Sequence, residues 1–151
     1  MLDEAGGTVP SSLDRRITYL LRRVTDAAGR KANAALAPLG LDARHYSVLA
    51  VVAAGAGSSQ RTIADTLGLD RATVVALVDT LESQDLVRRA QRREDRRANA
   101  VELTGKGRRV LKRAERLMEA CELSFVGGLA PDERAQLTSI LERLLASNRP
   151  D

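Results

Sequence analysis

The sequence predicts a mostly helical α+β fold in which one small β-hairpin interrupts a series of helices. Apolar residues recur at spacings of three and four along most of the chain, which is the period of an amphipathic helix. After Leu86 this period stops: residues 87–91 are typical of a short strand, and residues 98–103 alternate apolar and polar residues as its partner strand. The 151 residues include only two tyrosines and one phenylalanine as aromatics. We therefore expect a core of aliphatic side chains.

The first 40 residues are predicted to form a tail and one long helix. Residues 1–12 contain two glycines and a proline and are expected to be a flexible tail. A helix is predicted from Leu13 to Leu36, and Pro38 and Gly40 end it. One apolar stripe follows this helix: Leu13, Ile17, Leu20, Leu21, Val24, Ala27 and Ala28. A single small core has no obvious cover for that stripe, so residues 13–40 are interpreted as a dimerisation helix. A monomeric helical bundle is the alternative.

Residues 41–103 are predicted to form three helices followed by the hairpin. Asp42, Ser59 and Asp70 are placed to cap these helices, because short polar side chains bond the free N–H groups of a first turn. Gly68 closes the middle helix in a conformation that tolerates positive φ. The second helix of the chain is expected to direct Tyr46, Leu49, Val52 and Ala53 inward, and the fourth to direct Val74, Leu77, Val78 and Leu81 inward.

The hairpin and the C-terminal region follow from equally local signals. Residues 87–91 and 98–103 are the predicted strands, and residues 92–97 are the link between them. Thr104 is expected to cap a long helix that Gly127 and Gly128 end. Pro131 opens a last helix with apolar residues at Leu137, Ile140, Leu141, Leu144 and Leu145. Residues 104–151 are therefore interpreted as helices that complete the dimer interface.

The positive charge of the chain is concentrated in ten residues. The formal net charge is +4. The segment 88–97 carries six arginines and two acids, so the rest of the chain has a net charge of zero. A focused basic patch is typical of a site for a polyanion. A solvated charged loop is the alternative interpretation.

The two short helices joined at Gly68 and Leu69 match a helix-turn-helix, in which the second helix enters the major groove of DNA. Its first residues would face base edges. Arg71 is suited to read guanine or to clamp a phosphate, whereas Thr73 is equally suited to serve the cap. The arginine-rich link would then lie beside the DNA backbone or a neighbouring minor groove, where narrow A·T-rich sequences attract arginine. The residues predicted to contact DNA here are Asp70, Arg71, Ala72, Thr73, Arg92, Arg93, Asp95, Arg96 and Arg97.

Two segments resemble the MarR family of winged helix-turn-helix regulators. Residues 69–89 resemble its recognition helix and first wing strand, and residues 95–107 resemble its wing signature, Asp-x-Arg followed by Leu-Thr-x-x-Gly. The helix order matches the family along nearly the whole chain. The resemblance implies a homodimer whose first and last two helices form the base. It also implies that Arg97 enters the minor groove with Asp95 as its orienter, although an ion pair without a DNA role is the alternative. Phosphate contacts are implied at the start of the third helix: Ser59, Gln60 and Arg61.

The sequence departs from the family pattern in three places. Val75 and Ala76 stand where members often carry a polar residue or arginine, and Thr80 stands at a position that is often basic. We therefore expect less direct base reading here and more dependence on Arg71, the wing and DNA shape. Asp85 replaces the usual glycine before Leu-Val, and aspartate tolerates the left-handed conformation better than most residues.

The resemblance also implies a small anionic or phenolic effector that binds between the dimer base and the winged module. Arg16 and Arg23 are seven residues apart on the first helix and could meet a carboxylate, although a solvated or DNA-facing stripe is the alternative. His45 is as well suited to a capping or surface position. The effector candidates are Arg16, Tyr19, Arg23, His45 and Tyr46.

Other functions find little support in the sequence. The single histidine and the single cysteine, Cys121, make a weak dyad, and a structural role is favoured for the thiol. No cluster has zinc-ligand spacing, and the segment 105–107 lacks the rest of a phosphate-binding loop. We expect no catalysis, no metal and no cofactor. The single thiol, and an N-terminus without an apolar stretch, favour the cytoplasm over export or a membrane.

The sequence-based hypothesis is a homodimeric repressor that binds a pseudo-palindromic operator in duplex DNA. Its half-sites should lie about 10 bp, one helical turn, apart. The alternative is a winged-helix module that binds only other proteins. Such a surface favours aromatic anchors, and residues 59–103 contain no aromatic residue.

Overall fold

The computed structural model describes residues 10–55, 58–91 and 99–148. In these residues the α-helices are α1 (Ser11–Asp14), α2 (Ile17–Leu36), α3 (Ala43–Ala54), α4 (Gln60–Leu67), α5 (Arg71–Ser83), α6 (Gly105–Phe125) and α7 (Pro131–Ser147). The strands are β1 (Ser58–Ser59), β2 (Val87–Gln91) and β3 (Asn99–Leu103), and a short 3-10 helix spans Ala37–Leu39. The predicted α+β class is confirmed.

The predicted first helix is in fact two helices, α1 and α2, and α1 begins inside the predicted tail. The chain leaves the helical conformation at Arg16, whose φ and ψ are −75° and 125°. The N–H of Arg16 donates to Leu13 O, 2.9 Å away, instead of to Ser12 O, as a continuous helix requires. The side-chain Nε of Arg16 donates to Ser12 O at 3.3 Å. The side chain thus occupies the carbonyl that would have continued the helix.

The three helices α3, α4 and α5 begin and end as local chemistry predicts. The side chains of Asp42, Ser59 and Asp70 each accept a hydrogen bond from the backbone N–H three residues on. Gly68 has φ 63° and closes α4 in the left-handed conformation. Asp85 has φ 58°, so it adopts the predicted left-handed turn that leads into β2.

The sheet contains one strand more than the predicted hairpin. Its strand order is β1-β3-β2, and both pairings are antiparallel. Ser58 of β1 is opposite Val101, and Arg89 of β2 is opposite the same residue from the other side. This short strand ties the start of α4 to the hairpin, so the helix-turn-helix and the wing share one sheet.

The core lies between the end of α2, helices α3, α4 and α5, the sheet and the first half of α6. Val48 is buried on α3, whereas the predicted core residue Ala53 is exposed, because the buried face is centred on Val48, Leu49 and Val52. On α5, all of the predicted core positions are buried: Val74, Leu77, Val78 and Leu81. The fully buried large side chains are Leu36, Leu49, Ile63, Leu81, Val48, Val74, Val78, Val87 and Val101.

Helix α6 is anchored to the sheet at its first turn. Thr104 caps it by accepting from the N–H of Gly107 at 2.9 Å, and the Thr104 hydroxyl donates to Asp85 O at 2.7 Å. A Cβ added at Gly107 would lie 1.9 Å from Leu86 O. Only glycine therefore permits this approach of the helix to the backbone at Leu86.

The terminal helices carry large apolar side chains that the single chain does not bury. Helix α7 has no buried residue along its 17 positions. Ile17 and Leu145 are each about 70% exposed, and α6 contributes the exposed Leu123. Among the described residues, no helix is long and apolar enough to be a membrane span. The same residues contain no group of three acidic, histidine or cysteine side chains that could hold a metal ion.

Candidate nucleic-acid interface

The start of α5 is organised by Asp70 and Thr73. The Asp70 carboxylate accepts from the backbone N–H of Thr73 at 2.9 Å and from its hydroxyl at 2.6 Å. The side-chain hydrogen bond from Thr73, followed by the backbone one, lowers the pKa of Asp70 below its ordinary value. Thr73 therefore serves the cap, which was one of its two predicted roles.

The face of α5 opposite the core is exposed. Ala72, Val75, Ala76 and Asp79 are spaced as neighbours on one side of a helix, and all four are exposed. Arg71 is exposed at the N-terminal end and makes no hydrogen bond or ion pair with the other residues that the structure describes. The helix therefore presents a long cationic side chain at the end that carries its positive dipole.

The start of α4 places its three predicted DNA contacts in different roles. The hydroxyl of Ser59 caps the helix through Thr62 N at 3.0 Å. With its amide oxygen directed towards Arg89, Gln60 accepts from Nε and Nη2 of that residue at 2.9 and 3.0 Å. Arg61 is exposed, and its Nε lies 3.8 Å from a carboxylate oxygen of Asp65. Of the three, Arg61 has the side chain most available to a phosphate.

Arg89 on β2 connects the wing strand to both helices of the helix-turn-helix. Its guanidinium forms ion pairs with Asp79 and Glu82 of α5, and its backbone N–H donates to Glu82 at 2.9 Å. The hydrogen bond with Asp79 raises the pKa of Arg89 above its ordinary value; burial opposes this, and Glu82 adds to it. With Gln60, these residues form a four-membered brace, which we call the Arg89 brace. The brace was not predicted, because its one signal in the sequence is a pair of acids three residues apart on α5.

The basic segment is therefore less uniform than its sequence indicates. Arg88 is exposed and donates to the Glu102 carboxylate through Nη2 at 2.8 Å and through Nε at 3.1 Å. Arg88 and Arg89 are thus both paired within the chain. Arg92, Arg93, Asp95, Arg96 and Arg97 lie outside the described residues, and their predicted contacts stay predictions. Residues 92–97 contain four arginines and two acids, so they contribute half of the segment's net charge of +4.

The effector candidates fall into two groups in the hydrogen-bond pattern. On α2, Nη1 of Arg23 donates to the hydroxyl of Tyr19 at 3.2 Å, and the Tyr19 ring lies under Arg22 and Arg23. Arg16 precedes α2 and its Nε donates to Ser12 O, so Arg16 and Arg23 do not lie within one continuous helix as predicted. Their predicted role in binding an anion stays a prediction.

The second group lies at the start of α3. Nδ1 of His45 lies 2.8 Å from the Asp42 carboxylate, which also accepts from the backbone N–H of His45. Its Nε2 is buried and has no hydrogen-bond partner among the described residues. Burial, together with the charges of Glu115 and Glu122, raises the pKa of Tyr46. Asp42 is thus the cap of α3 and His45 is its hydrogen-bond partner, with one ring nitrogen buried.

Comparisons with known proteins agree with this arrangement. The model of the MarR family matches residues 39–98, which run from the end of the 3-10 helix through α3, α4, α5 and β2. The HTH-type transcriptional regulator TtmR of Methylorubrum extorquens is 31% identical over 137 residues. The match covers 91% of this chain and 69% of that protein.

Two similar solved structures are of CouR. The structure from Rhodococcus jostii bound to p-coumaroyl-CoA is 33% identical, covers 94% of this chain and 100% of that chain, and has a TM-score of 0.81. The CouR transcriptional repressor bound to a 23-mer DNA duplex is 32% identical, with coverages of 91% and 99% and a TM-score of 0.85. The similarity therefore includes the terminal helices as well as the central module.

Proposed function

The chain belongs to the MarR family of transcriptional regulators, and from that premise we propose that it is a homodimeric repressor of a pseudo-palindromic operator. The observation that carries the proposal is the exposed face of α5, which lies beside the hairpin that the Arg89 brace holds in place. This face begins at Arg71, which has no ion-pair partner among the described residues. A helix N-terminus of this kind is the part of a helix-turn-helix that meets base edges. The similar CouR has been solved on a DNA duplex, which supports the same use here.

The proposed contacts divide by type. Arg71 is assigned to a base edge or phosphate of the major groove, and Arg61 to a phosphate, because each is exposed and has at most a loose partner. The remaining polar contacts predicted for α4 and α5 act by orienting their helices: Asp70, Thr73, Ser59 and Gln60. In the wing, Arg97 is assigned to the minor groove with Asp95 as its orienter. The other wing arginines are assigned to the minor groove or the neighbouring DNA backbone: Arg92, Arg93 and Arg96.

A second copy of the chain is the proposed cover for the terminal helices. Helix α7 buries nothing in the single chain, and an open groove along it is lined by Ile140, Arg143, Leu144, Ala146 and Ser147. Exposed apolar residues at Leu13, Ile17 and Val24 extend the same kind of surface to α1 and α2. Several large apolar side chains exposed on the same helices are typical of a surface that another protein chain covers. Pairing these faces would also place two α5 helices for two half-sites.

We further propose release by a small effector that carries an anionic group and an aromatic ring. The similar CouR binds p-coumaroyl-CoA, which has both. The inward Nε2 of His45 and the neighbouring Tyr46 could bond a polar ring substituent, and Arg16, Tyr19 and Arg23 could meet the anion. Because its proposed target is genomic DNA, the proposed site of action is the cytoplasm.

The test is a DNA-binding titration over a salt series with the region upstream of the gene, at a protein concentration where the oligomeric state is measured in parallel. Arg71→Ala should weaken binding at least tenfold and lower the salt slope by up to about one unit. Arg113→Ala removes the same charge from an exposed position on α6 and is the control; it should change affinity less than twofold. A monomer without salt-sensitive affinity for any duplex would refute the proposal, and a protein-binding module would then be the better interpretation.

A further inference from the structure

The outward face of the recognition helix α5 is apolar over its first two turns. Ala72, Val75 and Ala76 form this face, and Val75 is 40% exposed although it lies on a helix whose opposite side is fully packed. We call these three residues the apolar strip. It lies immediately beyond Arg71 along the helix, within the part of α5 that a helix-turn-helix presents to bases.

The polar groups around the apolar strip are already engaged within the chain. The hydroxyl of Thr80 donates to Ala76 O at 3.0 Å, and that of Thr73 donates to Asp70. The carboxylate of Asp79 is held in the Arg89 brace. Among the described residues of this face, only Arg71 has hydrogen-bond donors that are not committed. The centre of the face thus offers methyl groups where base readers usually offer amides or guanidinium groups.

We propose that the apolar strip reads the C5-methyl groups of thymines, so that each operator half-site carries thymines opposite Ala72, Val75 and Ala76. This inference rests on the proposed function and specifies the bases of its target. In the major groove the thymine methyl is the one apolar group that distinguishes the base pairs, and alanine-type methyl groups are its usual protein contact. The strip also disfavours cytosine at these positions, because its N4 amine would lose water without gaining an acceptor.

A protein partner is a weaker candidate for the same surface. The strip consists of three small side chains without an aromatic anchor, whereas protein interfaces concentrate their binding energy in aromatic residues and arginine. It also lies at the positive end of the helix dipole, beside an arginine that has no partner in the described part of the chain, which favours a polyanion. Duplex DNA is therefore the occupant to which the charge and the size of the surface point.

The experiment changes single methyl groups of the DNA. Operator duplexes with each thymine replaced in turn by deoxyuridine are titrated with the full-length protein, since this replacement removes only the C5-methyl group. We expect about fourfold weaker binding for each contacted thymine and about fifteenfold when both half-sites are changed together. Thymines outside the contacted positions are internal controls and should show changes below twofold.

The protein is changed at the matching position to assign the contact. Val75→Ala should bind the thymine operator about two- to fourfold more weakly and lose its sensitivity to deoxyuridine at one thymine while keeping it at the others. Val75→Thr keeps the shape and one methyl group of valine. Its affinity for the thymine operator should therefore fall between those of the wild type and Val75→Ala. Val75 is exposed, so both variants should retain the wild-type circular dichroism and melting temperature.

Two results would count against the inference and are distinguishable. If the protein binds its operator tightly and every deoxyuridine duplex binds within twofold of the parent, the methyl groups are not read, although the proposed function stands. If no duplex is bound in a salt-sensitive way, the proposed function fails and this inference fails with it.

Discussion

Replacing Arg89 with glutamine should lower the free energy of unfolding by about 2 kcal/mol. Its guanidinium side chain is only 26% exposed and holds two carboxylates, Asp79 and Glu82, that are 57% and 37% exposed. Loss of the cation leaves both carboxylates close together without a counter-charge. Exposed pairs contribute up to about 1 kcal/mol and breaking a buried pair costs about 3–5 kcal/mol, so a half-buried double pair lies between these limits.

The adjacent Arg88 provides a matched control. Arg88→Gln removes the same charge from the same strand, but this side chain is 68% exposed and has one acidic partner. Its loss should cost no more than about 0.5 kcal/mol. Arg89→Lys keeps the charge without the fork that reaches several acceptors, and should recover about half of the Arg89→Gln loss.

The assay is urea unfolding followed by circular dichroism at one fixed protein concentration, because association with a second copy contributes to apparent stability. Comparison at low and high salt adds a second readout: the Arg88→Gln loss should largely disappear when exposed charges are screened, and the Arg89→Gln loss should persist. Equal losses in the two glutamine variants, or an Arg89→Gln loss below about 0.5 kcal/mol, would refute the reasoning.

Two further predictions concern α6 and α3. Gly107→Ala should lower the free energy of unfolding, measured in urea, by more than about 3 kcal/mol, because the new Cβ would overlap Leu86 O. The control is Gly105→Ala, whose Cβ would meet only the end of the Arg109 side chain at 3.8 Å. It should change the free energy of unfolding by less than about 1 kcal/mol. Burial would raise the pKa of Asp42, but the hydrogen bonds and charge of His45 outweigh it and lower the pKa below 3.8. Because the pKa of Asp42 is lower in the folded state than in the unfolded chain, its carboxylate stabilises the fold at a pH above the unfolded-state pKa. This stabilisation is lost as the pH falls through the folded-state pKa. Asp42→Ala should therefore cost about 1 kcal/mol at pH 7, and a wild-type-to-variant gap that stays constant from pH 6 to below pH 3.8 would contradict this.

The features that the sequence predicted correctly are those that neighbouring residues determine. The caps at Asp42, Ser59 and Asp70 each depend on a backbone N–H three residues away. The left-handed turns at Gly68 and Asp85 depend on a single residue's conformational preference. Such interactions are readable from spacing alone, which is why the order and bounds of α3, α4 and α5 were predicted closely.

The features that were missed depend on contacts between distant segments. Strand β1 has only two residues, and its partners Ala100 and Val101 lie more than 40 positions later. Arg89 could not be distinguished from the other arginines of its segment, because its acidic partners are on a different element, seven and ten positions away. The break at Arg16 replaced a backbone hydrogen bond with a side-chain one, which an apolar stripe does not reveal.

The length of α6 has a mechanical consequence. Its 21 residues extend about 30 Å, from the capped turn at Thr104 to Phe125. Near that far end, Nζ of Lys31 on α2 donates to the hydroxyl of Ser124 at 3.3 Å. If α6 tilts as a rigid rod, the close contact of Gly107 with Leu86 is the point about which it would turn. A tilt of about 5° at one end of α6 would displace its other end by about 3 Å, roughly the rise of one base pair. In the proposed dimer, a slight repacking beside α2 would therefore change the distance between the two α5 helices.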